Sequence, residues 1–376
     1  MARLGDVVKI EASSKSVVGD KFWLLNLDMV EQQTGSIIDY NYVGKDALNG
    51  SIIQFDTGCV LYSKLRPNLN KVVIPSQDGF ATSEMLPLRP NTKMLTRDYL
   101  TAFLRSDSFV TWAVSKTAGA KMPRLGSKEL LGKEIPLPSI SEQTRIAGQF
   151  ARIDELIALR KEQLAKLDQL VKSRFVELFG DCNKQASIKE SGLTISDGNY
   201  SSKYPRSEEF VESGIPFIRA NNLKNGTVVD EDMYFITPEK HAILLKGHLK
   251  PNDVLITTRG NIGQVAIVPN KHNDSNINAQ IVLLRDEKGR FVPQYLLWAL
   301  QTEEAKSQYI ELQTGTALKQ LPVGRLEQVI IKEPPIDTQE QFAAFVEQTD
   351  KSKLTIQQSL NKLELLKKSL MQEYFG

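Results

Sequence analysis

An internal repeat constrains this chain more than any local motif. Residues 135–180 align without a gap on residues 331–376, at a constant offset of 196 positions. Fifteen of these 46 pairs are identical, where unrelated sequences of average composition would share about three. The identities include Pro138/Pro334, Gln143/Gln339, Ala147/Ala343, Asp154/Asp350, Leu164/Leu360, Leu167/Leu363 and the closing Phe179-Gly180/Phe375-Gly376. Weaker matches continue upstream: Tyr99/Tyr295, Leu104/Leu300, Gly119/Gly315, Leu125/Leu321 and Leu130/Leu326. A period this long is not that of a solenoid, so the chain holds two copies of one larger module.

Each copy ends in a predicted long helix. Proline holds the residue before it extended, so Ile135-Pro136-Leu137-Pro138 closes a strand. Ser139-Ile140-Ser141-Glu142 and Asp337-Thr338-Gln339-Glu340 then read as capping boxes. In the first copy Ile146, Phe150, Ile153, Ile157, Arg160, Leu164, Leu167, Val171, Arg174 and Leu178 step by alternating fours and threes, the seam of a coiled coil. The second seam runs Phe342, Val346, Thr349, Lys353, Ile356, Leu360, Leu363, Lys367, Leu370 and Tyr374; its lysines weaken it, and Leu366 is the expected substitute. Rods of roughly 55–60 Å need partners of equal length. The two are therefore expected to run antiparallel against each other with the modules at opposite ends, pairing between two chains being the alternative.

The segments 1–134 and 181–330 differ from the helices in character. Short β-branched runs such as Ser51–Phe55, Lys71–Ile74, Val254–Thr258, Gln264–Val268 and Gln280–Leu284 alternate with turn residues. One amphipathic helix is expected near 97–116 and another near 293–312. The predicted class is α+β: two β-rich mixed α/β domains (1–134 and 181–330) separated by two long helices (135–180 and 331–376) forming an antiparallel coiled coil, with a pseudo-twofold repeat. Outside the helical copies the modules share little sequence, which suggests one job done on two targets.

The composition is ordinary, with 41% hydrophobic and 24% charged residues, as in globular proteins. A net charge of +2 from 47 basic and 45 acidic residues advertises no polyanion binder at the level of the whole chain. Two cysteines, Cys59 and Cys182, make neither a disulfide framework nor a four-thiolate metal site. With no signal-peptide core and no apolar run near the ~20 residues that span a bilayer, a cytoplasmic protein without membrane attachment is expected. There is no phosphate loop, no G-x-S-x-G and no H-E-x-x-H. The three histidines, His241, His248 and His272, are read as structural, so no catalytic and no metal residues are assigned. A nuclease using carboxylates hidden in the β-rich modules would be revealed by metal-dependent cleavage by the chain alone.

Any DNA binding must then rest on local patches, because phosphate affinity scales with the basic residues brought to the backbone. Between Asp56 and Asp78 an acid-free window carries Tyr62, Lys64, Arg66, Asn68 and Lys71. Between Asp107 and Glu129 a second carries Lys116, Lys121, Arg124 and Lys128 around Thr117-Ala118-Gly119-Ala120. In the second module the candidates are Thr258, Arg259 and Asn261 after a strand, the aromatic-polar loop with Tyr200, Lys203 and Tyr204, and Arg219, Asn221 and Asn222. Arg and Asn suit guanine and adenine edges, while Lys mostly meets phosphate.

On these residues the chain resembles the specificity subunit of type I restriction–modification systems. The resemblance spans essentially the whole sequence. It is carried by Ile135-Pro136-Leu137-Pro138-Ser139-Ile140-Ser141-Glu142-Gln143 and its worn copy Ile331–Gln339, and by Leu4-Gly5-Asp6-Val7, Ile195-Ser196-Asp197-Gly198 and Gly214-Ile215-Pro216-Phe217-Ile218. It departs where Lys332 and Glu333 replace apolar residues and Thr338 replaces glutamate. The resemblance implies a non-catalytic subunit whose two target-recognition domains read a bipartite double-stranded DNA sequence. It also implies recruitment of two methyltransferase subunits and of restriction subunits, with S-adenosylmethionine, ATP and Mg held by those partners and no cofactor here. A coiled-coil protein-interaction scaffold without DNA specificity is the alternative, and it predicts no sequence-dependent retention on duplex DNA.

Overall fold

In the computed structural model both repeated segments are uninterrupted helices of 40 residues, Ile140–Phe179 and Ile336–Phe375. The structure describes every residue except 16–18, 49, 199–202 and 317. The chain forms two compact units: Met1–Leu164 with Thr355–Gly376, and Ala165–Leu354. Each long helix thus belongs to both units, and no described helix is long and apolar enough to cross a membrane.

The two helices pair antiparallel within the chain. In the first unit Phe150 stacks on Phe375 with ring centroids 5.9 Å apart, Asp154 bonds Lys367 at 2.6 Å, and Arg160 reaches Ser359 at 3.3 Å. In the second unit Asp168 bonds Lys353 at 2.7 Å and Phe175 meets Phe342 edge-on at 5.3 Å. Every seam position named from the sequence is buried or half-buried, but Leu366 is not a substitute for the seam lysines, because its side chain faces solvent. The lysines keep their places because the opposing helix supplies an aspartate to each, while their aliphatic stems cover the apolar groove.

The helix starts also differ from expectation. Ser139 does cap the first helix, its hydroxyl accepting from the Glu142 N–H at 3.3 Å. Glu142, however, is drawn to Arg145 (2.6 Å), which lowers its carboxyl pKa, and Asp337 sits inside the first turn of a helix that already begins at Ile336. The single amphipathic helix expected in each module is two: Arg97–Leu104 with Asp107–Ser115, and Pro293–Ala299 with Glu303–Leu312. Ser106 and Thr302, 196 positions apart, cap the second helix of each pair, accepting from Phe109 (3.3 Å) and Ala305 (3.2 Å). A hydroxyl competing for backbone donors favours such a break over a continuous helix.

The units share a framework that their sequences no longer show. In the first, strands Val8–Ile10, Met85–Pro90, Val60–Ser63 and Val72–Val73 form one antiparallel sheet in that order. In the second, Thr194–Asp197, Ile281–Arg285, Val254–Thr257 and Val265–Ile267 repeat that order, and Gly226–Val228 and Leu223–Lys224 extend it to six strands. Each unit has a second sheet around one parallel pair: Phe22–Leu25 with Gly79–Thr82, and Ile215–Ile218 with Asn276–Ile277. The segment before each long helix closes its unit by pairing, Ala2–Arg3 with Glu134–Ile135 and Gln185–Ser187 with Ile330–Lys332. The long helices complete the cores, with Ile146, Phe150, Met371 and Phe375 in one and Val171, Phe179, Phe342 and Val346 in the other.

The repeat extends to the buried polar groups. Gln143 and Gln339 are fully buried. Gln143 accepts from the Thr96 N–H (2.9 Å) and donates to Met94 O (2.8 Å) and Pro138 O (2.9 Å). Gln339 does the same with Val292 N–H (2.9 Å), Arg290 O (3.0 Å) and Pro334 O (2.9 Å), each partner 196 positions on. Tyr99 and Tyr295 likewise donate to the carbonyls of Pro136 (3.1 Å) and Lys332 (2.8 Å).

A buried ion pair precedes the central strand of each main sheet: Arg89 to Asp56 at 2.8 Å, and Arg285 to Asp253 at 2.7 Å. Burial alone would raise the Asp56 carboxyl, but hydrogen bonds from Arg89, the Gly58 N–H and Ser13 outweigh it and hold the pKa at about 2. A carboxyl whose folded pKa lies below its unfolded value of about 3.9 adds stability that is complete above that pH and lost as the pH falls towards 2. Asp56→Asn is therefore expected to destabilise the first unit by about 2 kcal/mol at pH 7 and to flatten its acid transition between about pH 4 and 2. Urea unfolding across that range checks this, and an unchanged acid limb would contradict it.

A candidate DNA interface

In the first unit the two acid-free windows, about 50 residues apart in sequence, meet. The strand Val60–Ser63 ends in a loop where Arg66 and Asn70 both take left-handed backbone geometry (φ 49° and 50°) around the short 3₁₀ turn Pro67–Leu69. The second window folds into a hairpin, Thr117–Ala118 against Arg124–Leu125, turning at Gly119 with φ +99°. Backbone bonds join the two, Leu125 N–H to Lys64 O at 2.9 Å and Arg66 N–H to Pro123 O at 2.8 Å. Lys116, Lys121 and Lys128 are exposed on the hairpin segment, with Arg66 and Asn68 exposed and Lys64 half-buried on the loop.

The second unit repeats this junction. After the strand Val254–Thr257, Leu321 N–H bonds Thr258 O at 2.8 Å, and Arg259 bridges Gln320 in a second hairpin that turns at Gly315 with φ +90°. Leu321 and Gln320 lie 196 positions beyond Leu125 and Arg124. The hairpins carry exposed apolar side chains at matched positions, Met122 and Leu318. A β-carbon at Gly315 would lie 2.4 Å from the Leu318 carbonyl oxygen, so the turn needs glycine. The hairpin residues Gln313, Thr314, Lys319 and Gln320 were missed as candidates from the sequence. The offset points to them, since Gly119/Gly315 and Leu125/Leu321 are among the repeat identities.

Several candidates occupy other positions. Tyr62 is a core residue, 3% exposed and edge-on to Phe109, so it offers no face to a partner, and burial pushes its hydroxyl pKa up. Asn222 is fully buried, donating to the Glu231 carbonyl (2.8 Å) and accepting from the Arg219 N–H (3.0 Å). Thr258 is also buried, its hydroxyl donating to Gln280 O at 3.2 Å. These small polar groups bond backbone atoms of neighbouring turns, a role their residue types share with base contact. Lys71 donates its ammonium to the Leu27 carbonyl, and burial lowers its pKa.

Arg124 is engaged by Glu84 through three contacts of 2.9–3.1 Å, an ion pair that draws the Glu84 pKa down. Arg219 lies 3.4 Å over the Tyr234 ring and donates to Asp232 O at 2.7 Å. In the same unit Asn221 and Asn261 are exposed, Lys203 is exposed, and Tyr204 packs edge-on to Phe217 at 5.7 Å. Tyr200 lies outside the described residues.

Comparison with known proteins agrees with this duplicated arrangement. The family described as "Type I restriction modification DNA specificity domain" matches residues 1–169 and 195–365, most of the chain. The Escherichia coli type I restriction enzyme EcoDI specificity subunit is 29% identical over 154 residues, 40% of this chain and 34% of that subunit. The MjaVIII specificity subunit of Methanocaldococcus jannaschii is 24% identical over 319 residues, 78% of this chain and 72% of that one. The chain thus spans about a third of the first relative and under three quarters of the second. Among solved structures, a chain from a study of complex assembly and conformational transition of the type I R-M system shares the fold, with TM-score 0.65, 17% identity and 100% and 96% of the two chains covered. The type I restriction–modification S subunit from M. genitalium does so with TM-score 0.59, 13% identity and coverage of 100% and 95%. The EcoDI and MjaVIII relatives are both named as specificity subunits of type I restriction enzymes. The chain belongs to the family of type I restriction–modification DNA specificity domains.

Proposed function

We propose that this chain is the sequence-reading subunit of a type I restriction–modification complex, each of its recognition domains (residues 1–134 and 181–330) reading one half of a bipartite DNA target. One observation carries the reading. In both units a strand-end loop is bonded to a glycine-turned hairpin, the hairpin positions lying 196 apart, while the side chains on those loops have diverged. A constant backbone frame with unlike polar edges is what two different half-sites require, since phosphate contacts position and base contacts specify. The number of unread bases between the halves would depend on the length of the paired helices. Two methyltransferase subunits would dock equivalently on the repeat-related helical regions, and restriction subunits would join them. S-adenosylmethionine, ATP and Mg belong to those partners in this reading.

Exchange of residues 181–330 for the corresponding segment of another family member tests it. Co-expressed with its methyltransferase, the hybrid is expected to methylate a motif altered in one half only. Change in both halves would refute independent reading, and loss of all sequence preference in a folded hybrid would refute DNA reading by these loops.

A further inference from the structure

Two histidines and an aspartate that lie apart in sequence converge in the second unit. His241 lies in the last turn of the short helix Pro238–Ile243, His248 follows it, and Asp274 arrives from the turn before the strand Asn276–Ile277. The Asp274 backbone is left-handed (φ +58°) and turns its carboxylate to both rings: Oδ2 lies 3.3 Å from His241 Nε2, and Oδ1 lies 3.3 Å from His248 Nδ1. The rings lie edge to face with centroids 4.4 Å apart.

The other nitrogen of each ring fixes where its proton sits. His241 Nδ1 faces the Asn276 side-chain oxygen, whose amide nitrogen is turned to the Lys246 carbonyl (3.5 Å). His248 Nε2 faces the Leu244 carbonyl at 2.5 Å. Carbonyl oxygens only accept, so both of these nitrogens donate. The second nitrogen of each ring is aimed at the Asp274 carboxylate, so three groups able to ligate a cation face one another. A divalent cation placed between them would be held by all three groups together.

We infer that His241 Nε2, His248 Nδ1 and Asp274 form a binding site for a borderline divalent transition metal of the zinc class. A second hydrogen bond from each ligating imidazole to an oxygen is the usual support of such a ligand. Zinc bonds of about 2.0–2.1 Å put tetrahedral ligands about 3.3 Å apart, the separation of the carboxylate from each ring. The three ligand atoms lie within 4.8 Å of one another, so closure on the ion requires each side chain to move by less than about 1 Å. His241 is nearly buried, while the Asp274 side chain is 66% exposed, which leaves an entry path and a fourth position open to water. The bound ion would pin the helix Pro238–Ile243 to the turn at Asp274.

Titration of the full-length chain, dialysed against chelator, with zinc sulfate at pH 7.5 tests this. One zinc per chain is expected, with a rise in the unfolding midpoint of the second unit, and cobalt(II) is expected to give visible absorption of low-coordinate intensity. Asp274→Asn, which keeps the shape and tolerates the left-handed backbone, and His248→Gln should each weaken binding at least tenfold. Circular dichroism and unfolding in chelator should show both variants folded as the parent is. No zinc or cobalt binding at neutral pH would overturn the site, as would one-to-one binding that both variants leave unchanged.

Discussion

Truncating Phe342 to alanine is expected to cost the second unit about 3–5 kcal/mol, the usual range for emptying a buried aromatic site. Phe342 is fully buried. Its ring meets Phe175 at 5.3 Å, Phe179 at 5.5 Å and Trp298 at 6.0 Å, so one side chain of the second long helix joins the first long helix to the module core. Phe175 and Phe179 sit on the other 40-residue helix, which resists their collapse into the space. At roughly 2–4 °C per kcal/mol for a unit of this size, the unfolding midpoint of the second unit should fall by about 6–20 °C. Fluorescence of Trp298 reports that transition. Leu366→Ala, on the exposed face of the same helix, should stay within about 0.5 kcal/mol. Similar losses from the two substitutions would mean that the helices do not complete the core.

Neutralising Lys64, Arg66 and Lys121 together should weaken DNA binding of the assembled complex about 100-fold at ~0.15 M salt. Each phosphate contact contributes close to one unit of slope in log affinity against log salt, a factor of about five at that concentration. The slope should therefore fall by about 2–3, by similar amounts on cognate and unrelated duplexes for the two lysines. Removal of Arg66 alone should also blur the preference at one base if its guanidinium reads a guanine edge. Filter binding from 50 to 300 mM salt with the triple and single variants measures both effects. An unchanged slope would place the DNA elsewhere on the first unit.

The helical half of this architecture was legible because its signals are periodic and repeated. The seam from Ile146 to Leu178 and the offset of 196 needed no tertiary knowledge, and every seam residue is sequestered in the structure. The strands Ile52–Phe55 and Val254–Thr257 lie within β-branched runs picked out from the sequence, and Ile281–Arg285 runs one residue past its own. What stayed hidden depends on partners distant in sequence. Lys353 and Lys367 looked like flaws in a seam until Asp168 and Asp154 were found opposite them. Tyr62 and Asn222 have the chemistry of base readers, and only burial shows that they serve the interior. The meeting of the two basic windows rests on the Leu65–Arg124 bridge, which no local pattern encodes. His241 and His248 suggested no ligand set because Asp274 joins them from 26 residues beyond His248.

The fully buried pair Gln143 and Gln339 has a consequence for how new specificities arise. Each glutamine clamps the start of a long helix to the chain ahead of its own module's short helices, using only main-chain partners. Main-chain partners are indifferent to the side chains they carry, so the clamp accepts any insert that returns to the same seat. An exchange of the module between these seats would therefore leave the fastening of both long helices intact, and under the proposed function it would change only the bases that module reads.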